Sequence, residues 1–139
     1  MRREIEFRAK TLAAQPQWVY GTPVLFKDGS VEIYGTDIFH TGETQFVMMH
    51  AQVDPNTICQ YTGLTDKSGN KIYDGDIIRD ERKKIGYIAW LKQECGFVIV
   101  WKKTDSRLGH RHRGSGYDRD TNLEVIGNIF DNPELQKDE

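Results

Sequence analysis

Apolar and polar residues alternate strictly from Glu4 to Lys10, with Ile5, Phe7 and Ala9 on one side and Glu4, Glu6, Arg8 and Lys10 on the other. A period of two marks a strand with one buried face. After a break around Pro16, Trp18 to Tyr20 is a short strand, and Val24 to Phe26 and Val31 to Tyr34 flank the dipeptide Asp28-Gly29. That dipeptide predicts a type I′ hairpin turn, because both of its residues tolerate positive φ. Gly35 to Gly42 reads as loop, Gln45 to Ala51 as a further strand, and Asp54-Pro55-Asn56 breaks the pattern.

Downstream of the break, Thr57 to Thr62 predicts a strand and Asp66-Lys67-Ser68-Gly69-Asn70 a turn. Three apolar stretches follow, Asp76 to Arg79, Ile85 to Leu91 and Phe97 to Trp101, separated by short charged or glycine-containing turns. None carries a helix-period stripe, and their β-branched and aromatic content predicts an antiparallel meander forming a small barrel. Lys103 to Asp120 is rich in Gly, Ser, Arg and His and almost free of apolar residues, the composition of a long mobile loop. Leu123 to Phe130 completes the sheet, with a bulge or bend at Gly127, and Asn132-Pro133-Glu134 opens one or two turns of helix.

The expected fold class is therefore all-β and mainly antiparallel. An N-terminal β subdomain, residues 1–53, packs on a C-terminal barrel-like subdomain, residues 54–139, which carries the mobile basic loop 104–119 and ends in a short helical turn. Length and composition narrow this further. A chain of 139 residues, 37% hydrophobic and 29% charged, is large enough to fold without metal or disulfide, and two independent cores are not expected. No apolar run approaches a membrane span, and Arg2, Arg3, Glu4 and Glu6 interrupt any signal-peptide layout, so a cytoplasmic protein is expected. In that compartment Cys59 and Cys95 read as small buried or half-buried apolar residues.

Nineteen basic and twenty-one acidic residues leave a net charge of -2, which points neither to nucleic acid nor to an anionic membrane. The charge is segregated, however. Asp28 to Asp54 holds five carboxylates and no Lys or Arg, whereas Arg79 to Lys92 holds five cations against Asp80 and Glu81. Such opposite patches can dock head to tail or between subunits.

The run Asp54-Pro55-Asn56-Thr57-Ile58-Cys59-Gln60-Tyr61-Thr62-Gly63-Leu64-Thr65-Asp66, with Gly69 and Ile72-Tyr73-Asp74-Gly75-Asp76-Ile77-Ile78, resembles the central signature of the YopX family of small phage and prophage proteins. Ile5-Glu6-Phe7-Arg8-Ala9 and Glu124-Val125-Ile126-Gly127-Asn128-Ile129-Phe130-Asp131-Asn132-Pro133-Glu134-Leu135 resemble its two ends. The resemblance implies a phage-derived, cytoplasmic, oligomeric β protein and carries over no catalytic or binding residue. Gly75-Asp76-Ile77-Ile78, Gly86-Tyr87-Ile88 and Phe97-Val98-Ile99-Val100 separately resemble the strand-turn-strand pattern of SH3-like barrels.

Candidate chemistry is sparse. Arg107, Arg111, Arg113 and Arg119, interleaved with glycines, are candidate nucleic-acid contacts, because such arms are flexible and meet phosphates. His110 and His112 point the same way in an extended chain, but no ligand motif accompanies them, and no metal is expected. Asp74, Asp76, Asp80 and Glu81 read as turn chemistry beside the neutralising Arg79, Arg82, Lys83 and Lys84. The run from Asp66 begins like a calcium loop but has Lys71 where glycine is required and Ile77 where glutamate is required. Tyr87, Trp90 and Trp101, with Phe97, form a candidate aromatic surface for bases or a peptide, the alternative being a core or a subunit contact.

No nucleophile elbow, P-loop or dinucleotide fingerprint occurs, so catalytic residues and cofactors are not expected. The function expected is that of a non-enzymatic, self-associating phage or prophage accessory protein. It would form a homo-oligomer and bind a host or phage macromolecule, without a membrane. The alternative is a nucleic-acid-binding module using loop 104–119 and the aromatic strands.

Overall fold

The computed structural model describes residues 4–35, 49–101, 105–107 and 122–136. The chain divides into two compact units, one of them Glu4–Gln60 and the other beginning at Tyr61. Each buries its own apolar cluster, where the sequence predicts a single core.

In the first unit β1 (Phe7–Lys10), β2 (Trp18–Leu25), β3 (Val31–Gly35) and β4 (Met49–Val53) are antiparallel. Ala9, Val31, Ile33 and Val53 form the core, joined by Phe7, Val19 and Ile58. Ile5 is exposed, not on the buried face as its alternation predicts, because strand pairing starts only at Phe7. β2 is one strand of eight residues where the sequence shows two short ones. Its first half pairs with β1 and its second half with β3. With a neighbour on one side only, Pro23 is tolerated despite its missing N–H.

Gly21 marks the changeover, at φ +153°, and a Cβ there would lie 2.0 Å from the Tyr34 carbonyl oxygen. Gly35 reciprocates, since its Cβ would lie 2.5 Å from the Tyr20 oxygen. Only glycine permits so close a crossing. The curl closes where Thr11 bridges Val53 and the Asp54 N–H donates to the Lys10 carbonyl at 2.8 Å.

The Asp54-Pro55-Asn56 break is a 3-10 turn, Pro55–Thr57, capped by the Asp54 carboxylate on the Asn56 N–H. It stays within the first unit, because the Thr57 hydroxyl accepts from the Lys10 N–H at 2.9 Å. The strand that follows, β5 (Cys59–Thr65), begins by pairing with β1 at Cys59 and Gln60. Cys59 is buried, whereas Cys95, expected to be at least half-buried, is exposed at the left-handed end of the 3-10 turn Lys92–Glu94.

In the second unit the rest of β5 pairs with β6 (Lys71–Tyr73), a strand the sequence pattern did not reveal. β7 (Asp76–Arg79), β8 (Ile85–Leu91), β9 (Gly96–Val100), β10 (Asp105–Arg107) and β11 (Glu124–Asn128) form an antiparallel sheet in the order β10-β9-β8-β7-β11. Among the described residues β10 and β11 are its edges, so the pairing is that of an open sheet, and the closure of an SH3-like barrel is not among the ladders. Asp105–Arg107, expected as loop, pairs with β9. Ile72, Ile78, Ile88, Ile99 and Leu123 form the core. The expected irregularity at Gly127 is a register step between Val125 and Gly127, and the C-terminal helical turn is 3-10, Pro133–Gln136.

One loop geometry recurs three times, at Phe26–Ser30, Asp66–Asn70 and Asp80–Lys84. In each, the first N–H donates to the fifth carbonyl and the fourth N–H to the first carbonyl, at 2.8 to 3.0 Å. The fourth residue is left-handed: Gly29 at φ +92°, Gly69 at +87° and Lys83 at +65°. This is a type I turn with a left-handed bulge residue. It replaces the type I′ turn expected at Asp28-Gly29, because Asp28 keeps negative φ and its carboxylate accepts from the Ser30 N–H at 2.9 Å and hydroxyl at 2.6 Å.

Candidate functional site

The first unit presents an apolar hairpin end. The Phe26–Ser30 loop is fixed by its own hydrogen bonds, and those from Ser30 hold the Asp28 carboxyl below the usual range. β2 is thereby carried beyond the core into water, leaving Val24, Leu25 and Phe26 exposed by 38%, 76% and 41%. Leu25 registers opposite the buried Val31, yet the core ends before it. Val24 and Leu25 are adjacent in β2 and point to opposite faces, so the hairpin end exposes apolar side chains on both of its sides, a feature of contact surfaces.

On the face of the same sheet turned away from its core, the Arg8 guanidinium carbon and the Lys10 amine lie 4.6 and 5.5 Å from the Trp18 ring centroid. Tyr34 stacks on His50 at 5.0 Å, and His50 Nδ1 meets Glu32 at 2.7 Å. Sequence reasoning passed over this face, although the alternation that puts Arg8 and Lys10 together also puts Trp18 and Tyr20 together. A shallow groove nearby, lined by Thr11, Leu12, Gln17, Ala51 and Gln52, has no charged side chain along it.

The second unit presents a basic hairpin end. Glu81, Arg82, Lys83 and Lys84 are exposed at the β7–β8 turn, and the Lys84 amine lies 5.0 Å from the Trp101 ring centroid. Asp80 Oδ1 is occupied by the Arg82 and Lys84 N–H groups at 2.9 and 2.8 Å. Glu124 takes the Arg79 guanidinium and lies 3.4 Å from the Lys67 amine. The Arg79 hydrogen bond holds the Glu124 carboxyl below its ordinary range against partial desolvation. Asp76 is buried and accepts from the Tyr73 N–H at 2.7 Å, so the Asp74-Gly75-Asp76 group is turn chemistry. Among the described residues no three His, Cys, Asp or Glu side chains converge to hold a metal.

The aromatic residues singled out from the sequence do not share a surface. Tyr87 and Trp90 stand three apart on β8 and so point to opposite faces. Trp90 is 52% exposed and meets Phe97 edge to face at 5.2 Å. Trp101 packs on the C-terminal core and across Gly86, where a Cβ would lie 2.8 Å from its ring. Arg107 lies in β10, opposite Val98, while Arg111, Arg113 and Arg119, like His110 and His112, fall outside the described residues.

The family model described as YopX protein matches residues 6–137, nearly the whole chain and both units. The chain belongs to the YopX family. Among curated proteins none matches this YopX chain. The family match covers the apolar hairpin and the basic hairpin alike, so both surfaces are parts of the YopX domain itself. No helix among its described residues is long and apolar enough to cross a membrane.

Proposed function

We propose that this YopX-family protein is a non-enzymatic, cytoplasmic accessory module of phage or prophage origin that self-associates and works by binding another macromolecule. The observation that carries the reading is the exposed run Val24-Leu25-Phe26 at the end of a rigid hairpin. A two-fold-related copy offers the same exposed Leu25, so an isologous contact there buries apolar surface from both copies. Burying Leu25 alone contributes about 1.5–3 kcal/mol to such a contact.

Light scattering at micromolar concentration is expected to give a dimer or higher oligomer. Leu25→Glu should raise the dissociation constant at least about tenfold, with folding stability within about 0.5 kcal/mol of wild type because the position is exposed. A wild-type monomer under these conditions overturns self-association. Nucleic acid is the second reading for the partner, favoured by the basic β7–β8 hairpin.

A further inference from the structure

The Asp80–Lys84 hairpin has the backbone of the other two loops but not their residue at the left-handed position. Gly29 and Gly69 occupy it without cost, whereas Lys83 adopts φ +65° with a Cβ in place. A non-glycine residue at a left-handed position is grounds for asking what its side chain does. Lys83 stands between Arg82 and Lys84, all three exposed. The Asp80 carboxylate beside them is engaged by backbone N–H groups, and Glu124 is engaged by Arg79 and Lys67. Lys84 is steadied over Trp101, which is itself packed on the core. This end of the unit thus gathers Lys67, Arg79, Arg82, Lys83 and Lys84 against Asp80, Glu81 and Glu124, in a chain whose net charge is -2.

We infer that the Arg82-Lys83-Lys84 hairpin end is a phosphate-backbone contact for nucleic acid, with Lys83 kept at a left-handed position for its charge. Trp101 is packed on the core, so the contact is made by charge and reads no bases. The inference rests on the reading of the protein as a macromolecule-binding module and is independent of self-association through the apolar hairpin.

The test is fluorescence-anisotropy titration of the full chain with single-stranded DNA, duplex DNA and RNA, between about 20 and 200 mM salt, with anionic lipid vesicles as a separate arm. The wild type should bind nucleic acid with a log-log salt slope of about -2 to -3, from two or three phosphate contacts at about 0.9 each. Lys83→Gly should raise the melting temperature by about 2–4 °C and reduce the slope by about one unit. The melting shift shows that the variant is folded. Arg82→Ala should weaken binding similarly, and Lys92→Ala, at the other end of β8, should leave it unchanged. The inference is overturned if the wild type binds no nucleic acid at the lowest salt, if Lys83→Gly leaves the slope intact, or if vesicles are bound and nucleic acid is not. Light scattering on the same samples separates the failures: an oligomer that binds no nucleic acid sinks this inference alone, and a monomer that binds nothing sinks the module reading as well.

Discussion

Asp66–Asn70 and Asp80–Lys84 are the same loop put to different uses. In both, the leading aspartate accepts two N–H groups of its own turn on Oδ1, from Ser68 and Asn70 at 2.9 and 2.8 Å and from Arg82 and Lys84 at 2.9 and 2.8 Å. The difference lies in the second oxygen. Asp66 Oδ2 also accepts from the Asn70 side chain at 3.2 Å and from the Val125 N–H at 3.1 Å, tying the turn to a strand far along the chain. The Lys67 N–H adds a bond to the Leu123 carbonyl at 2.8 Å. Asp66 is 1% exposed, while the Asp80 loop ends in water and carries three cations. A turn's shape is thus set within five residues, but whether it joins the core or faces a partner is set by what the distant chain brings to it.

The comparison breaks most sharply at Asp66. Asp66→Ala leaves the Ser68, Asn70 and Val125 N–H groups without their acceptor and should cost about 4 kcal/mol, most of the margin of a modest domain, measured by urea unfolding. Asp80→Ala, in water, should cost no more than about 1 kcal/mol in the same experiment. Equal losses would show that the second oxygen does not matter.

A subtler probe is pH. Burial pushes the Asp66 carboxyl up, but the hydrogen bonds from Val125, Asn70 and Ser68 outweigh it and hold it below the usual range. Its folded value therefore lies under its unfolded value of about 3.9, so the unfolded chain binds more protons between the two. The contribution is complete above about pH 4 and is lost as pH falls through the folded value. Melting temperature should fall on acidification in the wild type, and the part due to Asp66 should be missing in Asp66→Asn. That variant keeps the Oδ1 acceptor but turns a donor toward Val125, so it starts from a lower plateau. Parallel pH curves for the two proteins would refute this.

Exchanging the left-handed residues sharpens the contrast from the other side. Gly69→Lys should cost about 1–2 kcal/mol, the penalty of a Cβ in that conformation. The smallest effect has the opposite sign. Lys83→Gly should stabilise by about 0.5 kcal/mol, the relief of strain being offset in part by the extra freedom of glycine in the unfolded chain. Differential scanning calorimetry on the two variants would show both signs, and destabilisation by Lys83→Gly would mean that the position is not strained.

Much of this architecture is legible in the sequence where local chemistry decides. The antiparallel strands, the bulge at Gly127, the turns at Asp28, Asp66 and Asp80 and the three apolar stretches of the second unit follow from alternation and turn residues. What could not be read depends on partners remote in sequence. β2 was hidden because Gly21 and Pro23 look like breakers until β1 and β3 are seen to flank different halves of it. The buried role of Asp66 depends on Val125, and the packing of Trp101 on the core that it meets, whereas the opposite faces of Tyr87 and Trp90 follow from their spacing along one strand. The Lys83 position carried a legible signal, a turn with the spacing of its two neighbours but lysine in the glycine slot.

The two cysteines fall one in each unit, Cys59 buried in the first and Cys95 exposed in the second. A thiol reagent will therefore modify one sulfur at once and the other only when Glu4–Gln60 opens. The rate of the slow reaction becomes a clock for the opening of the chain around Cys59. The fast one makes a reducing agent necessary in any measurement of oligomeric state, since sulfurs exposed on two copies can join them covalently and imitate an interface that owes nothing to Leu25.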